Sequence, residues 1–319
     1  MRKFLIHSGL FILLLLTSFI FVFTKADGRS DAFYLRFTSP KQASLIIGTS
    51  RAAQGLQPEV INNILGRNDI YNYAFTMAHS PYGSVYNESI KKKLGDGKNG
   101  VFILAVDPWS FASLKENKNA EYKFRESKLA LAKTDNVNLK FNIEYLVESY
   151  ESQYYNLMWN NNSSTFLHDD GWLEVTVKMS EKAVINRTKN KLKTYSKYLN
   201  TYQISSIRVL RFKELVQYLE KKGNVYIVRL PVSGKMMDLE NKFCPEFNAV
   251  VNEINMELKL EYLDMTDRNN EFNYTDGNQL SKASGAQVSN IVGQWIKNLE
   301  DEQVYLLLVM FNQLFIQYF

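Results

Sequence analysis

The chain has 319 residues, of which 45% are hydrophobic and 22% are charged, and its formal net charge is +5. This composition excludes a wholly disordered chain, and with so small a positive excess and no concentrated basic patch we expect no nucleic acid partner. Cys244 is the only cysteine, which excludes an intrachain disulfide and a cysteine-based zinc site, and we expect neither a metal nor another cofactor.

An uncharged apolar stretch of 21 residues runs from Phe4 to Thr24. A helix of about 20 residues crosses the hydrocarbon core of a bilayer, so this stretch is long enough to span one. Arg2 and Lys3 precede it, which favours a cytoplasmic N-terminus and a domain on the extracytoplasmic, periplasmic side. We therefore interpret residues 1–25 as a signal anchor of a bacterial protein. The alternative is a cleaved signal peptide, whose apolar region usually has only about 7–15 residues.

Five short apolar runs predict β-strands at residues 43–47, 70–75, 101–106, 225–232 and 260–265. Helical patterns are predicted at residues 58–65, 82–94, 212–221, 239–257 and 282–299. Because strands alternate with helices, the sequence predicts an α/β domain over residues 40–300, with a central parallel sheet covered by helices on both faces. Ligands bind such sheets at the carboxyl ends of the strands, so we expect a site at that edge.

Residues 109–202 show no strand–helix repeat, and we interpret them as an insertion that covers one side of the site. A solvated helix face is expected for its basic residues, with a lipid headgroup or a polyanion as the alternative contact; they are Lys182, Arg187, Lys189, Lys191, Lys193 and Lys197. An ordinary core is expected for its aromatic residues, with stacking on sugar rings as the alternative; they are Tyr150, Tyr154, Tyr155, Trp159 and Trp172.

Residues 303–319 form a second apolar segment, with an uncharged run of 16 residues from Val304 to Phe319. Its apolar residues recur at helical spacing and form one face: Leu307, Met310, Phe311, Leu314, Phe315 and Tyr318. The run is short for a membrane span. We therefore expect a helix that packs on the domain or lies on a membrane surface.

Ser50 directly follows the first predicted strand, in the turn Gly48-Thr49-Ser50-Arg51. Such a turn exposes the hydroxyl group and directs the serine N–H toward a developing oxyanion. A serine hydroxyl also needs a neighbouring base to take its proton, and that base needs an acid to hold its tautomer. Ser50 is therefore a candidate nucleophile, although Gly-x-Ser after a strand is a common pattern.

The turn Gly48-Thr49-Ser50-Arg51 and the distant segment Asp276-Gly277-Asn278-Gln279-Leu280 together resemble the SGNH (GDSL-like) hydrolase superfamily. Ile46-Ile47-Gly48-Thr49-Ser50-Arg51 is similar to its first block, with Ser50 at the nucleophile position. Asp276-Gly277-Asn278-Gln279-Leu280 is similar to its last block, in which an aspartate precedes the catalytic histidine by three residues. The resemblance implies a flavodoxin-like, three-layer α/β/α fold, with Ser50 and Asp276 in the catalytic site and Gln279 at the position of the histidine.

The intermediate blocks depart from the family pattern. Asn72-Tyr73-Ala74-Phe75-Thr76-Met77 is similar to the second block, with Met77 in place of the oxyanion-hole glycine. Leu104-Ala105-Val106-Asp107 stands at the third block and lacks its asparagine. A membrane-anchored SGNH-like group with similarly degenerate blocks assists O-acylation of cell-envelope polymers. The resemblance therefore implies an envelope glycan and a membrane-bound O-acyltransferase as partners, besides the membrane.

Four further polar residues are candidates with two interpretations each. His79 follows the second strand and either approaches Ser50 or is a hydrogen-bonded loop histidine, which is favoured. His168 is expected in a surface turn rather than at a metal. Arg51 either supports an acyl or polyanionic substrate or pairs with a carboxylate, which is slightly favoured. Asp107 is expected to cap the third strand and to bond the Ser50 loop.

Two functions are compatible with these residues. The first is an envelope esterase or acyltransferase that acts on a cell-surface glycan or lipid with Ser50, Asp276 and a relocated base. The amide of Gln279 is not basic near neutral pH, so we expect its catalysis to be impaired. The second is a non-catalytic membrane-anchored scaffold or glycan-binding partner of a membrane-bound O-acyltransferase. The sequence leaves open whether the chain is an enzyme.

Overall fold

A computed structural model describes residues 1–159 and 164–318, without the side chains of residues 307 and 309–318. The nine strands of the described chain are β1 Ser44–Ile47, β2 Ile70–Asn72, β3 Gly100–Ala105, β4 Ala112–Leu114, β5 Thr165–Leu167, β6 Leu173–Val175, β7 Tyr202–Ile204, β8 Gly223–Arg229 and β9 Glu261–Asp264. Five of them form a parallel sheet in the order β2-β1-β3-β8-β9. The pairs β4–β7 and β5–β6 are antiparallel.

The α-helices of the described chain are α1 Arg2–Phe23, α2 Tyr34–Thr38, α3 Ser50–Gly55, α4 Pro58–Leu65, α5 Ser84–Lys93, α6 Ala130–Lys133, α7 Ile143–Glu148, α8 Glu181–Thr201, α9 Ser206–Glu220, α10 Gly234–Phe243, α11 Phe247–Leu258 and α12 Lys282–Tyr318. Short 3₁₀ turns lie at Pro108–Phe111, Lys115–Asn117, Glu121–Lys123, Arg125–Lys128, Tyr154–Leu157 and Thr266–Glu271. The fold is therefore mixed α/β.

The central sheet confirms the predicted parallel arrangement. Ile46 of β1 pairs with Asn72 of β2 and with Ile103 of β3, which places β1 inside the sheet. The helix predicted over residues 239–257 is wrong, because α10 and α11 are separate helices that flank residues 244–246. Pro245 lies in this break, and proline lacks the N–H that a continuous helix needs.

Side chains on alternate positions of the strands enter two different apolar clusters. Leu45 and Ile47 belong to one cluster, which also contains buried side chains of α5, α9 and α11. Ile46 belongs to the other cluster, which contains buried side chains of α3, α4 and α12. Both faces of β1 are therefore buried, as expected for a strand inside a parallel sheet.

Helix α1 lies apart from both clusters along most of its length. Its 22 residues are exposed except for the partly buried Ser8 and the end of the helix, where Val22 is partly buried and Phe23 is buried. Among the described residues, α1 is the one helix that is long and apolar enough to cross a membrane. This property indicates membrane anchoring and agrees with the predicted N-terminal membrane helix.

Helix α12 begins beside the sheet and continues to Tyr318, within the segment 303–319 that was predicted as apolar. At the start of this segment three side chains are exposed, those of Val304, Tyr305 and Leu306. The predicted apolar face of this segment falls on side chains outside the described residues, namely Leu307, Met310, Phe311, Leu314, Phe315 and Tyr318.

Lys93 is a buried lysine at the end of α5. Its Nζ donates hydrogen bonds to the carbonyl oxygens of Ser39 (2.6 Å) and Val137 (2.7 Å), and it lies over the rings of Tyr71 and Tyr73. Burial lowers the pKa of Lys93 to about 7. One ammonium group thus joins the start of the sheet to residues 109–202.

The buried position of Lys93 predicts a pH-dependent stability. Between its folded pKa of about 7 and the ordinary lysine value of 10.5, the unfolded chain binds one more proton than the folded chain. The free energy of unfolding should therefore rise with pH, by up to about 1.4 kcal/mol per pH unit. We expect Lys93→Met to remove this rise, measured by urea unfolding of the full chain in micelles at several pH values above neutrality. The exposed Lys98→Met variant should keep it, and an unchanged slope in Lys93→Met would contradict the assignment.

Candidate functional site

The turn after β1 holds Ser50 at the carboxyl edge of the sheet. Gly48 adopts a φ of +153°, and an added Cβ would lie 2.9 Å from Ala105 Cβ and 3.0 Å from Ala52 Cβ. Only glycine fits between these side chains. The chain then enters α3 at Ser50, whose side chain is partly exposed.

Gln279 contacts Ser50 directly, although 229 residues separate them in the sequence. Its Nε2 donates a hydrogen bond of 2.8 Å to Ser50 Oγ. Gln279 itself is only 4% exposed, and its Oε1 has no hydrogen-bond partner among the described residues. The structure thus brings the candidate nucleophile together with the residue at the predicted base position.

Asp276 shapes the loop that carries Gln279. Its Oδ1 accepts hydrogen bonds from the backbone N–H groups of Asn278 (3.0 Å) and Gln279 (2.9 Å). Its Oδ2 forms an ion pair with Lys191 at 2.9 Å. Both carboxylate oxygens therefore have partners other than the Gln279 side chain, and Asp276 positions the backbone of this loop.

The contact between Gln279 and Ser50 limits the chemistry of the hydroxyl group. Ser50 Oγ accepts a hydrogen bond from an amide N–H, and an amide nitrogen takes no proton near neutral pH. An amide oxygen in the same place would accept a hydrogen bond without becoming a base. The arrangement therefore orients the Ser50 hydroxyl and does not activate it.

Ser50 opens into a cleft of about 560 Å³. The described residues that line the cleft are Ser50, Gln54, Thr76, Met77, Ala78, Arg125, Arg187, Asn190, Lys191, Thr194, Tyr195, Tyr198, Asp276 and Gln279. This lining includes three cationic side chains, one carboxylate and no imidazole. Burial raises the pKa of the Tyr195 hydroxyl, so Tyr195 stays protonated at neutral pH and is no base either.

Arg51 lies in the next position of α3 and takes part in a buried ion network. Its Nη2 pairs with Glu240 Oε1, and its Nε donates to Asn278 Oδ1 at 3.1 Å. Burial alone lowers the pKa of Arg51, but the charges of Glu240 and Asp107 more than offset this and raise it above the usual arginine value. Asn278 directly precedes Gln279 in the loop that contacts Ser50. Arg51 therefore links α3, which begins at Ser50, to this loop.

Glu240 accepts from two further buried groups. Arg229, at the end of β8, pairs through Nη2 with Glu240 Oε2 at 3.3 Å, and Trp109 Nε1 donates to Glu240 Oε1 at 3.1 Å. Neither Arg229 nor Glu240 was predicted from the sequence as a site residue. A charged residue inside the apolar run of residues 225–232 was a usable signal for Arg229, whereas no motif marks Glu240.

Asp107 joins the turn after β3 to the Ser50 loop. Its Oδ1 accepts from the N–H groups of Trp109 (2.8 Å) and Ser110 (2.9 Å) and so caps the 3₁₀ turn Pro108–Phe111. Its Oδ2 accepts from Thr49 Oγ1 at 3.3 Å. Burial raises the pKa of Asp107, and the nearby Arg51 guanidinium counteracts this. Asp107 therefore holds the backbone around Ser50 and does not line the cleft.

The two histidine candidates of the folded domain, His79 and His168, have other contacts. His79 Nδ1 forms a hydrogen bond of 2.8 Å with Thr76 Oγ1, and its ring packs on Phe33. It lines a separate cavity of about 270 Å³, and burial, assisted by the charge of Arg125, lowers its pKa to about 4. His168 Nε2 forms a hydrogen bond of 2.9 Å with Glu174 Oε2.

No protein-family model matches the chain, and no curated protein matches its sequence. The function is therefore inferred from the geometry of the site. Ser50, Met77, Asp276 and Gln279 line one cleft, Arg51 and Asp107 belong to the buried network beside it, and His79 lines another cavity. No cluster of three or more metal-binding side chains occurs in the described part of the chain.

Glu240 provides a test of the network. We expect Glu240→Gln to lower the free energy of unfolding by about 3–5 kcal/mol, because it leaves the buried guanidinium groups of Arg51 and Arg229 without their shared carboxylate. Urea unfolding measures the loss. Glu271→Gln is the matched control, since Glu271 pairs with Arg268 on the surface at 2.6 Å, and its unfolding midpoint should not change. Equal behaviour of the two variants would contradict a structural role for Glu240.

Proposed function

We propose that the chain is a membrane-anchored, SGNH-like envelope protein that binds a surface glycan in the Ser50 cleft and does not use Ser50 as a nucleophile. The observation that carries this proposal is the 2.8 Å hydrogen bond from Gln279 Nε2 to Ser50 Oγ. It puts an amide donor where the family's histidine would accept a proton. The site then has the serine of a serine hydrolase and the loop that reaches it, but it lacks the histidine that acts as the base.

The cleft offers no replacement for that base among its described residues. Lys191 is engaged in an ion pair with Asp276, and the pKa of Tyr195 is raised by burial. When the base of a serine–histidine pair is lost, only about 10³–10⁴-fold catalysis over water remains. Because so little catalysis remains without the base, we favour the binding function over the esterase or acyltransferase that the resemblance also allows.

The polar groups of the cleft support a glycan as the ligand. Gln279 Oε1 is a buried acceptor without a partner among the described residues, and leaving such an atom unpaired costs about 1–3 kcal/mol. A sugar hydroxyl that donates to it would remove this penalty. Arg125, Arg187 and Lys191 outnumber the single carboxylate of Asp276, which favours a glycan that carries acidic groups.

The wider architecture proposed here is the three-layer α/β/α form of the SGNH family. The parallel sheet and the two apolar clusters on its alternate positions support it. Arg2 and Lys3 at the start of α1 favour an extracytoplasmic domain. A membrane-bound O-acyltransferase is the partner that the resemblance implies, with the glycan presented to it by this chain.

A serine-directed fluorophosphonate tests whether Ser50 is activated. We expect no labelling of the wild-type chain and Ser50-dependent labelling of Gln279→His, because an imidazole at this position accepts the serine proton. Mass spectrometry of the labelled peptide and hydrolysis of a small acyl ester give the two readouts. Gln279→His combined with Ser50→Ala is the control. Labelling of wild-type Ser50 would contradict the proposal.

Polysaccharide binding tests the ligand class. We expect the full chain in micelles to bind polygalacturonate and not neutral dextran, with affinity that falls as salt is added. Arg125→Ala should weaken binding roughly fivefold, as expected for loss of about 1 kcal/mol from an exposed charge. Lys128→Ala, in the same 3₁₀ turn but outside the cleft, should leave it unchanged. Equal effects of these two variants, or equal binding of dextran, would contradict an acidic glycan.

A further inference from the structure

An apolar patch lies on the surface of residues 139–159. In the part of the chain that the structure describes, thirteen large hydrophobic side chains between α1 and α12 are exposed, and seven of them fall in this range. We call these seven the 139–159 patch: Leu139, Ile143, Val147, Tyr154, Tyr155, Met158 and Trp159. Such clustering marks an interaction surface more often than scattered exposed residues do.

The patch is carried by ordered structure. Ile143 and Val147 are four residues apart on α7 and therefore share one face, which is exposed. Tyr145 and Leu146 of the same helix are buried in the domain core, and Tyr145 Oη donates to the carboxylate of Asp31 at 2.9 Å. Helix α7 thus has one apolar face on the domain and a second apolar face toward the outside.

The patch adjoins the end of the candidate membrane helix. Phe23 is the last residue of α1, is 8% exposed, and lies with its ring centroid 5.1 Å from that of Tyr154. Phe141 also belongs to residues 139–159, and its ring centroid lies 6.4 Å from that of Phe23. Helix α1 is therefore packed on residues 139–159 where it ends and is not a free tether.

The length of α1 sets the depth of the patch. At a rise of about 1.5 Å per residue, 22 residues extend about 33 Å, which matches the hydrocarbon core of about 30 Å. If α1 crosses the bilayer, Phe23 lies at the boundary of that core, and Tyr154 lies beside it. Tyrosine and tryptophan are the side chains favoured at this depth, and the patch exposes Tyr155 and Trp159.

We propose that the 139–159 patch is a second membrane contact, which inserts into the interfacial layer of the bilayer that α1 crosses and holds the domain against it. The charges of the segment indicate how it binds. Glu144, Glu148 and Glu151 outnumber Lys140, so anionic lipids do not attract it. Binding is therefore apolar, occurs on zwitterionic lipid and is insensitive to salt. The proposal does not depend on the chemistry of Ser50.

Nitroxide labels on single cysteines test this contact in the full chain. Cys244→Ala removes the one native cysteine, and the exposed positions Val147→Cys and Trp159→Cys then carry the label in phosphatidylcholine nanodiscs. We expect collisions with lipid-soluble oxygen to exceed collisions with a water-soluble nickel chelate at both positions. Leu14→Cys in α1 should give the same pattern, and Met256→Cys, an exposed apolar position on α11, should give the reverse.

The other outcomes would overturn the proposal. Predominant access to the nickel chelate at positions 147 and 159, with lipid access at position 14, would show that the domain is held by α1 alone. Access to the nickel chelate at position 14 as well would remove the bilayer contact of α1 and with it the patch. Lipid access that disappears on addition of salt would show electrostatic rather than apolar binding. Each labelled variant should keep the unfolding midpoint of the Cys244→Ala parent, since both patch side chains are exposed.

Discussion

The buried carboxylate of Glu240 is the point on which the geometry around Ser50 depends. It receives Arg51 from the helix after β1, Arg229 from the end of β8, and the indole N–H of Trp109. Together with Asp107, the buried members of the network are two guanidinium groups and two carboxylates, so their formal charges balance. The partly exposed Asp264 also pairs with Arg229 at 4.0 Å. A balanced and hydrogen-bonded set is the form in which buried charges persist, because each unpaired member would carry its full desolvation penalty.

The bonds that position Ser50 do not involve the side chain that contacts its hydroxyl group. Arg51 fixes α3 to Asn278, and Asp276 fixes the backbone of the same loop through the N–H groups of Asn278 and Gln279. None of these bonds uses the side chain of residue 279. The backbone of the loop is therefore held independently of the side chain of residue 279, and in this chain that side chain is an amide that reaches Ser50.

The sequence predicts those parts of the fold that follow from local patterns. The five strands were recognisable because each apolar run ends at a glycine, a proline or a polar turn, and the parallel sheet followed from their alternation with helices. The division of residues 239–257 into α10 and α11 was missed although Pro245 marks it. Glu240 was not predictable, because its partners come from three distant segments and no periodicity encodes a buried ion pair. The sequence likewise could not decide whether Arg51 supports a substrate or pairs with a carboxylate. Its carboxylate partners, Asp107 and Glu240, are distant in the sequence and meet it only in the folded chain.

A short segment connects the end of α1 with the carboxyl edge of the sheet. Phe33 packs on Phe75 and His79 just beyond the carboxyl end of β2, and Phe23 ends α1 only ten residues earlier. Ten residues span at most about 35 Å even when fully extended, and residues between them are folded into turns. A short segment therefore links the end of α1 to the carboxyl edge of the sheet. The packing of Phe33 on Phe75 at one end and of Phe23 on Tyr154 at the other holds this segment against the domain.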